Sequence, residues 1–214
     1  EASAPALIPA PAPAPMAAGA FYGALSFGGM NLDASITQDI DPADDYYQGS
    51  IDTDAGTGIL AALGYDFGNG FRVELELSRL QGDTGDLSFP DAQAPYDVAV
   101  TDGDYRLTSG MVNGWYTFGT GSVRPFVGAG LGVMEASIDT AFTLGSNNGI
   151  TDKDSAFAYM LGAGVEIPMS DTMSIVASYR YLAADGFEMT DNEGTDIDAD
   201  FSGHVVTIGA LVRF

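Results

Sequence analysis

His204-Val-Val-Thr-Ile-Gly-Ala-Leu-Val-Arg-Phe214 is the stretch whose reading decides the fold. Val206, Ile208, Ala210, Val212 and Phe214 fall at alternate positions, and Thr207, Gly209 and Arg213 fall between them. A period of two puts the two sets on opposite faces of a β-strand. One face is apolar throughout, and the other carries a hydroxyl, a bare backbone and a guanidinium. A strand that is greasy outside and polar inside, repeated around a closed sheet, can cross a bilayer without a helix.

The same alternation recurs upstream. Over about 71–81, Phe71, Val73, Leu75 and Leu77 oppose Arg72, Glu74, Glu76 and Ser78. Over about 154–167, Phe157, Tyr159, Leu161, Ala163, Val165 and Ile167 oppose Ala158, Met160, Gly162, Gly164 and Glu166. Over about 172–183, Met173, Ile175, Ala177, Tyr179 and Tyr181 oppose Ser174, Ser178 and Arg180. Further strands are expected near 20–31, 55–67 and 123–138. The stretch 104–118 is harder to phase: Val112, Tyr116 and Phe118 read as outward, while Arg106, Asn113 and Trp115 leave its parity open unless a bulge intervenes. Short links at Gly68-Asn-Gly70, Gly119-Thr-Gly-Ser122 and Pro168-Met-Ser-Asp171 alternate with long polar segments at about 32–54, 82–103, 139–153 and 184–200. The pattern predicts an all-β domain over 20–214, an eight-stranded antiparallel up-and-down transmembrane barrel. Its long loops gather at one end, and its short turns and both termini at the other. Tyr22, Phe67, Phe71, Tyr116, Phe118, Tyr181 and Phe214 are placed to form interfacial girdles.

Residues 1–19 are different material. Ala10-Pro-Ala-Pro-Ala-Pro15 favours polyproline II, and the arm would reach roughly 55–60 Å fully extended. It reads either as a tether or as a stiff arm that touches a partner or the barrel mouth. The chain opens on Glu1 without an initiator Met or a basic n-region, the pattern of a mature product whose export signal is gone or of a trimmed chain.

Composition narrows the function classes. Across 214 residues, 46% are hydrophobic and 17% charged, yet no run approaches the ~18 apolar residues of a membrane helix. Glycine is abundant at 28 and often sits inside strands, where it relieves crowding on the inner wall of a small barrel. The absence of cysteine excludes a disulfide framework and thiolate zinc sites. A net charge of −23, crowded into the long segments, argues against nucleic-acid binding and against peripheral docking on anionic lipid.

Asn113-Gly-Trp-Tyr-Thr-Phe118, Pro125-Phe-Val-Gly-Ala-Gly-Leu-Gly-Val133, Phe157-Ala-Tyr-Met-Leu-Gly-Ala-Gly-Val-Glu166, Ser178-Tyr-Arg-Tyr181 and the ending at Phe214 together resemble the small outer-membrane β-barrel proteins of Gram-negative bacteria. The likeness is to the surface-antigen family of outer-membrane barrel domains. It implies an outer-membrane location with long loops outside the cell and termini in the periplasm. It does not imply a single activity, because members include suspected porins, adhesins and surface antigens. Thr207, Gly209, Val212 and Phe214 look like the terminal signal that barrel-assembly machinery recognises.

Arg72, Glu74, Glu76, Arg106, Glu166, Arg180 and Arg213 are the candidate barrel interior, either a packed ionic core or a narrow conducting path. Asp196, Asp198 and Asp200 could hold Ca²⁺ loosely, although Phe201 stands where an EF-hand loop needs Gly. Ser202 and His204 share a face, but no carboxylate is fixed beside them, so no catalytic residue is assigned. No cofactor is expected. Expected partners are outer-membrane lipid, the assembly machinery through the last strand, and a protein that meets the acidic loops or the arm. The expected role is structural or surface-interactive, in adhesion or assembly, with a narrow cation-preferring porin as the alternative.

Overall fold

The computed structural model describes residues 19–41, 45–53, 55–89, 96–98, 100–142, 149–190 and 196–214. Ten strands form eight staves. These are β1 (Ala20–Asp41), β2 and β3 (Asp45–Thr53 and Gly56–Asp66), β4 (Phe71–Phe89), β5 and β6 (Tyr96–Val98 and Val100–Thr117), β7 (Arg124–Phe142), β8 (Gly149–Pro168), β9 (Met173–Thr190) and β10 (Asp196–Arg213). Each stave pairs antiparallel with the next, and β10 pairs back onto β1 from Tyr22↔Arg213 to Gln38↔Ile197, which closes the barrel. Closure leaves no sheet edge in the hydrocarbon, as a membrane-spanning sheet requires.

The wall sorts its side chains as the alternation predicts. On β4, Leu75 and Leu77 are 66% and 69% exposed, while Glu74 and Glu76 between them are 7% and 4% exposed. On β10, Val206, Ile208, Val212 and Phe214 face out, and Val205, Thr207 and Leu211 are buried. From Val206 to Phe214 there are eight rises of ~3.3 Å. Tilted by ~40°, they project to about 20 Å, and side-chain reach at both ends brings this to the ~25 Å apolar band of an outer-membrane barrel.

The turn end is tightly tied. Gly68 and Gly70 take positive φ of 75° and 92°, Asp66 Oδ1 accepts from Gly68 N at 2.9 Å, and Asn69 Oδ1 accepts from Phe71 N at 3.0 Å. Ser170 Oγ accepts from Met173 N at 3.0 Å in the turn between β8 and β9. Phe214 N donates to Phe21 O at 2.9 Å, so the last residue is fastened beside the first stave. Around this rim Phe21, Tyr65, Phe67 and Phe71 form a chain of ring contacts with centroids 5.0–5.7 Å apart, and Tyr116 meets Phe118 at 5.0 Å. Tyr22, expected in this girdle, is instead 1% exposed inside the barrel, because it alternates with the outward Phe21 and Gly23.

The opposite end departs from the sequence reading. Much of what reads as long loop is strand: β1 continues to Asp41, β4 to Phe89, β7 to Phe142 and β9 to Thr190. The pairing Ala34↔Ile51 to Asp41↔Asp45 carries the first hairpin well past the apolar band. Asp196, Asp198 and Asp200 stand in β10 and not in a loop, with Asp198 and Asp200 opposite β1 and Asp196 opposite Thr190 of β9. At Asp185 and Gly186 the register with β10 shifts by one residue, Gly186 takes a φ of 84°, and its N–H donates to Asp200 Oδ1 at 2.9 Å. This is the bulge geometry that re-aims a strand. The Ala/Pro arm lies outside the described residues except for Gly19.

Candidate functional site

The lumen has two layers. Toward the loops it is apolar, with Met30, Leu32, Leu80, Leu107, Met134 and Phe187 among the members of one buried cluster. Toward the turns it is ionic. The sequence reading offered an ionic core or a narrow path for the interior and named no apolar layer, which fills the loop-side half.

Glu166 centres the ionic layer at 0% exposure. Arg72 Nη1 donates to its Oε2 at 2.8 Å, Arg213 Nη2 donates to Oε1 at 2.7 Å, and Ser174 Oγ donates to Oε1 at 2.8 Å. Arg213 also lies 3.4 Å from Asp66 Oδ2. A second pair stands one level higher, where Arg180 Nη1 meets Glu76 at 2.6 Å and 2.8 Å to the two oxygens. Its guanidinium carbon sits 5.1 Å from the Trp115 ring centroid. Glu74 is held by three neutral donors: Tyr22 Oη at 2.8 Å, Trp115 Nε1 at 2.7 Å and Asn113 Nδ2 at 3.2 Å. Arg72 is sandwiched between the Tyr22 and Phe126 rings at 5.6 Å and 5.4 Å. Buried charges are tolerated when paired and hydrogen-bonded. Arg72, Glu76, Glu166, Arg180 and Arg213 are in ion pairs, Glu74 is held by neutral donors, and Arg72 Nε has no hydrogen-bond partner among the described residues. Above them Ser78 Oγ bonds Ser109 Oγ at 2.7 Å, and Ser178 Oγ bonds Thr207 Oγ1 at 2.8 Å.

Arg72, Glu74, Glu76, Glu166, Arg180 and Arg213 all line this lumen. Arg106 does not. The register of β6 against β4 and β7 runs without a shift from Asp104 to Thr117, so odd residues point in and Arg106 is exposed on the outer wall. Sequence reasoning missed Tyr22, Asp66, Asn113, Trp115 and Ser174 as members of the network. Parity alone would have supplied Asp66, since Tyr65 and Phe67 flank it on the outer face.

Among the described residues, two small cavities lie in the ionic layer and just above it. One of ≈30 Å³ is lined by Arg72, Glu74, Glu76, Arg180, Trp115 and Phe126, and one of ≈10 Å³ lies above it beside Ser78, Ser109 and Met160. Each has room for a water or two and none for a hydrated ion or a solute. The walls reach this density because glycines sit under the large rings. A Cβ on Gly162 would stand 2.8 Å from Trp115 Cη2, and one on Gly128 would run into Cε3 of the same indole.

On the outer wall, His204 Nδ1 and Tyr179 Oη share a hydrogen bond at 2.7 Å, and the imidazole stacks on Tyr179 at 5.7 Å. The histidine is thus committed to an interfacial aromatic cluster. Of the weak Ca²⁺ candidates, Asp200 is exposed and bonds Gly186, while the side chains of Asp196 and Asp198 lie outside the described residues.

A closed wall with an apolar exterior and an ion-paired lumen is the geometry of an outer-membrane barrel. A family model described as outer membrane protein beta-barrel domain matches residues 2–214. The chain belongs to this family. This outer-membrane barrel is 29% identical to the outer membrane protein PagN of Salmonella typhimurium over 157 residues, 65% of this chain and 64% of that protein. An outer membrane protein of Gluconacetobacter diazotrophicus is 32% identical over 153 residues, 64% of this chain and 39% of that protein. The barrel therefore spans less than two thirds of either relative's length. Among solved structures it is similar to OprG of Pseudomonas aeruginosa, with a TM-score of 0.59 at 17% identity over 92% of this chain and 96% of that one. At that identity the likeness shows the fold. The barrel sits in the lipid bilayer of a bacterial outer membrane.

Proposed function

We propose that this barrel is a rigid anchor that holds acidic strand extensions and loops at the cell surface for adhesion or assembly. The observation that carries this reading is the filled lumen of the described residues, with an ionic layer below an apolar one and water-sized cavities between its side chains. The acidic chemistry lies above the membrane. Of the 30 acidic residues, 21 fall in 32–54, 82–103, 139–153 and 184–200, against a single basic residue, Lys153. A surface so charged stays hydrated and favours a cationic partner. In this reading the long segments face the medium and the short turns and both termini face the periplasm. The assembly machinery engages β10 through Thr207, Gly209, Val212 and Phe214, and the Ala/Pro arm meets a periplasmic partner. In this reading Asp196, Asp198 and Asp200 are weak Ca²⁺ ligands, at about millimolar concentrations.

The test pairs two measurements on one preparation. Folded protein in a planar bilayer is expected to give no discrete conductance. Cells displaying it are expected to lose attachment to a cationic surface when the acidic residues of 42–48 and 191–196 are replaced by Ser and Gly. Cation-selective steps abolished by E74Q and E76Q would replace this reading with the narrow porin.

A further inference from the structure

Seven basic residues serve this chain, and most have evident work. Arg72, Arg180 and Arg213 pair inside the lumen. Arg124 donates to Gly121 O in a turn. Arg79, Arg106 and Lys153 remain, and the register brings all three to one stretch of wall. Arg79 lies opposite Thr108 on the neighbouring stave, and Arg106 lies opposite Gln81, so the two arginines are diagonal neighbours. In the next rows Arg106 faces Ser137, and Ser137 faces Lys153. Both arginines are exposed, and neither makes an ion pair with a described residue.

Their height on the wall matters as much as their proximity. On β4 the outward series Phe71, Val73, Leu75, Leu77 ends at Arg79. On β7 the series Val127, Ala129, Leu131, Val133 ends at Glu135, and on β8 Leu161, Tyr159, Phe157 ends at Ser155. Arg79, Thr108, Glu135 and Ser155 are consecutive partners in one cross-strand row. This row is the loop-side edge of the apolar band. Asp83 and Asp104, which face each other, stand further out still.

We propose that Arg79 and Arg106 form a docking site for the phosphate of a membrane lipid headgroup in the loop-side leaflet. Like charges held at diagonal positions on adjacent strands repel unless an anion lies between them. Two guanidiniums present paired N–H donors that match phosphate oxygens. An arginine on the lipid face is costly at mid-bilayer and cheap at the interface, where phosphates lie. The net charge of the chain disfavours anionic lipid in general. Asp83 and Glu135 also stand diagonal to Arg106, and Asp104 lies two residues along its strand, so any anion is confined to the Arg79 side of Arg106, at one headgroup position. Acyl chains of the docked lipid would run down Leu77, Val112 and Val133 below the arginines. Naming this leaflet as the outer one rests on the orientation given above, but the binding itself does not.

The experiment uses the full chain folded in neutral maltoside micelles and follows the arginine Nε–Hε resonances. Short-chain phosphatidic acid is expected to shift Arg79 and Arg106 saturably and to leave Arg124 unmoved. R79Q and R106Q are each expected to weaken binding by about tenfold, with R79K intermediate because it keeps charge and loses the fork. Equal shifts with inorganic phosphate at the same concentration would make the site one for free anions and overturn the lipid assignment. No shift, or unchanged affinity in both variants with folding verified by heat-modifiable gel mobility, would also overturn it. Pairing with Glu135, Asp83 or Asp104 would show as resonances that move in E135Q, D83N or D104N and ignore lipid, and would overturn it as well. Protease shaving of intact cells reports the orientation separately, so failure of the display reading is distinguishable from failure of the lipid site.

Discussion

Arg213 donates from Nη2 to Glu166 Oε1 across 2.7 Å. The last residue but one of the chain thus shares a buried carboxylate with Arg72, which holds the other oxygen at 2.8 Å. Removing Glu166 would leave Arg72 buried without its anion. Glu166→Ala is expected to destabilise the folded barrel by about 3–5 kcal/mol. The check is the urea midpoint of reversible unfolding into phospholipid vesicles. A loss under 1 kcal/mol would mean that the two arginines find other partners.

Glu76 and Arg180 form a more self-contained pair. Each single change to Gln is expected to destabilise, and the double variant is expected to lose less than the sum, with a coupling of about 1–3 kcal/mol. A double-mutant cycle in guanidinium measures it. Additive losses would mean that the 2.6 Å contact carries no net energy.

Trp115 is the single tryptophan, so its environment can be read directly. Gly162→Ala is expected to push against the indole and cost about 1–3 kcal/mol, with a shifted emission maximum. Trp115→Phe should absorb part of that cost, yet it leaves Glu74 short of one donor, itself worth about 1–3 kcal/mol. Fluorescence and unfolding of the single and double variants separate the two effects.

Chelation tests the acidic extensions. EDTA is expected to leave the unfolding midpoint of the lumen unchanged and to speed proteolysis of the loop-side segments, with D198N removing the difference. A fall in the midpoint would place a divalent ion in the barrel proper.

The fold was legible where one face of the wall meets lipid. On β4, β8 and β10 the outward face is uninterrupted hydrocarbon, so parity could be read without a partner strand. It was not legible on β6, where Gly110, Gly114 and Thr108 dilute the outer face and Leu107 and Met111 enrich the inner one. That mixture placed Arg106 on the wrong side. The strand extensions were hidden for a related reason. Beyond the apolar band both faces meet water, neither is required to be greasy, and the period of two fades although the pairing continues. The apolar upper lumen was missed because Leu80, Leu107, Met134 and Phe187 come from four staves and converge only once the barrel closes. The ionic lower lumen was visible in Arg72, Glu74, Glu76, Glu166, Arg180 and Arg213, each flanked by outward apolar neighbours, but its pairing was not.

The ion pairs around Glu166 and Glu76 lie in the turn-side half, beneath the apolar layer, whereas the acidic residues are concentrated at the other end. Stability and appearance are therefore written in different parts of the chain. Substitutions, insertions or deletions beyond Leu32, Asp83 and Ser137 leave the network around Glu166 intact. A lineage under pressure to change its exterior can do so repeatedly on one inherited frame, and drift should be fast above that boundary and slow below it.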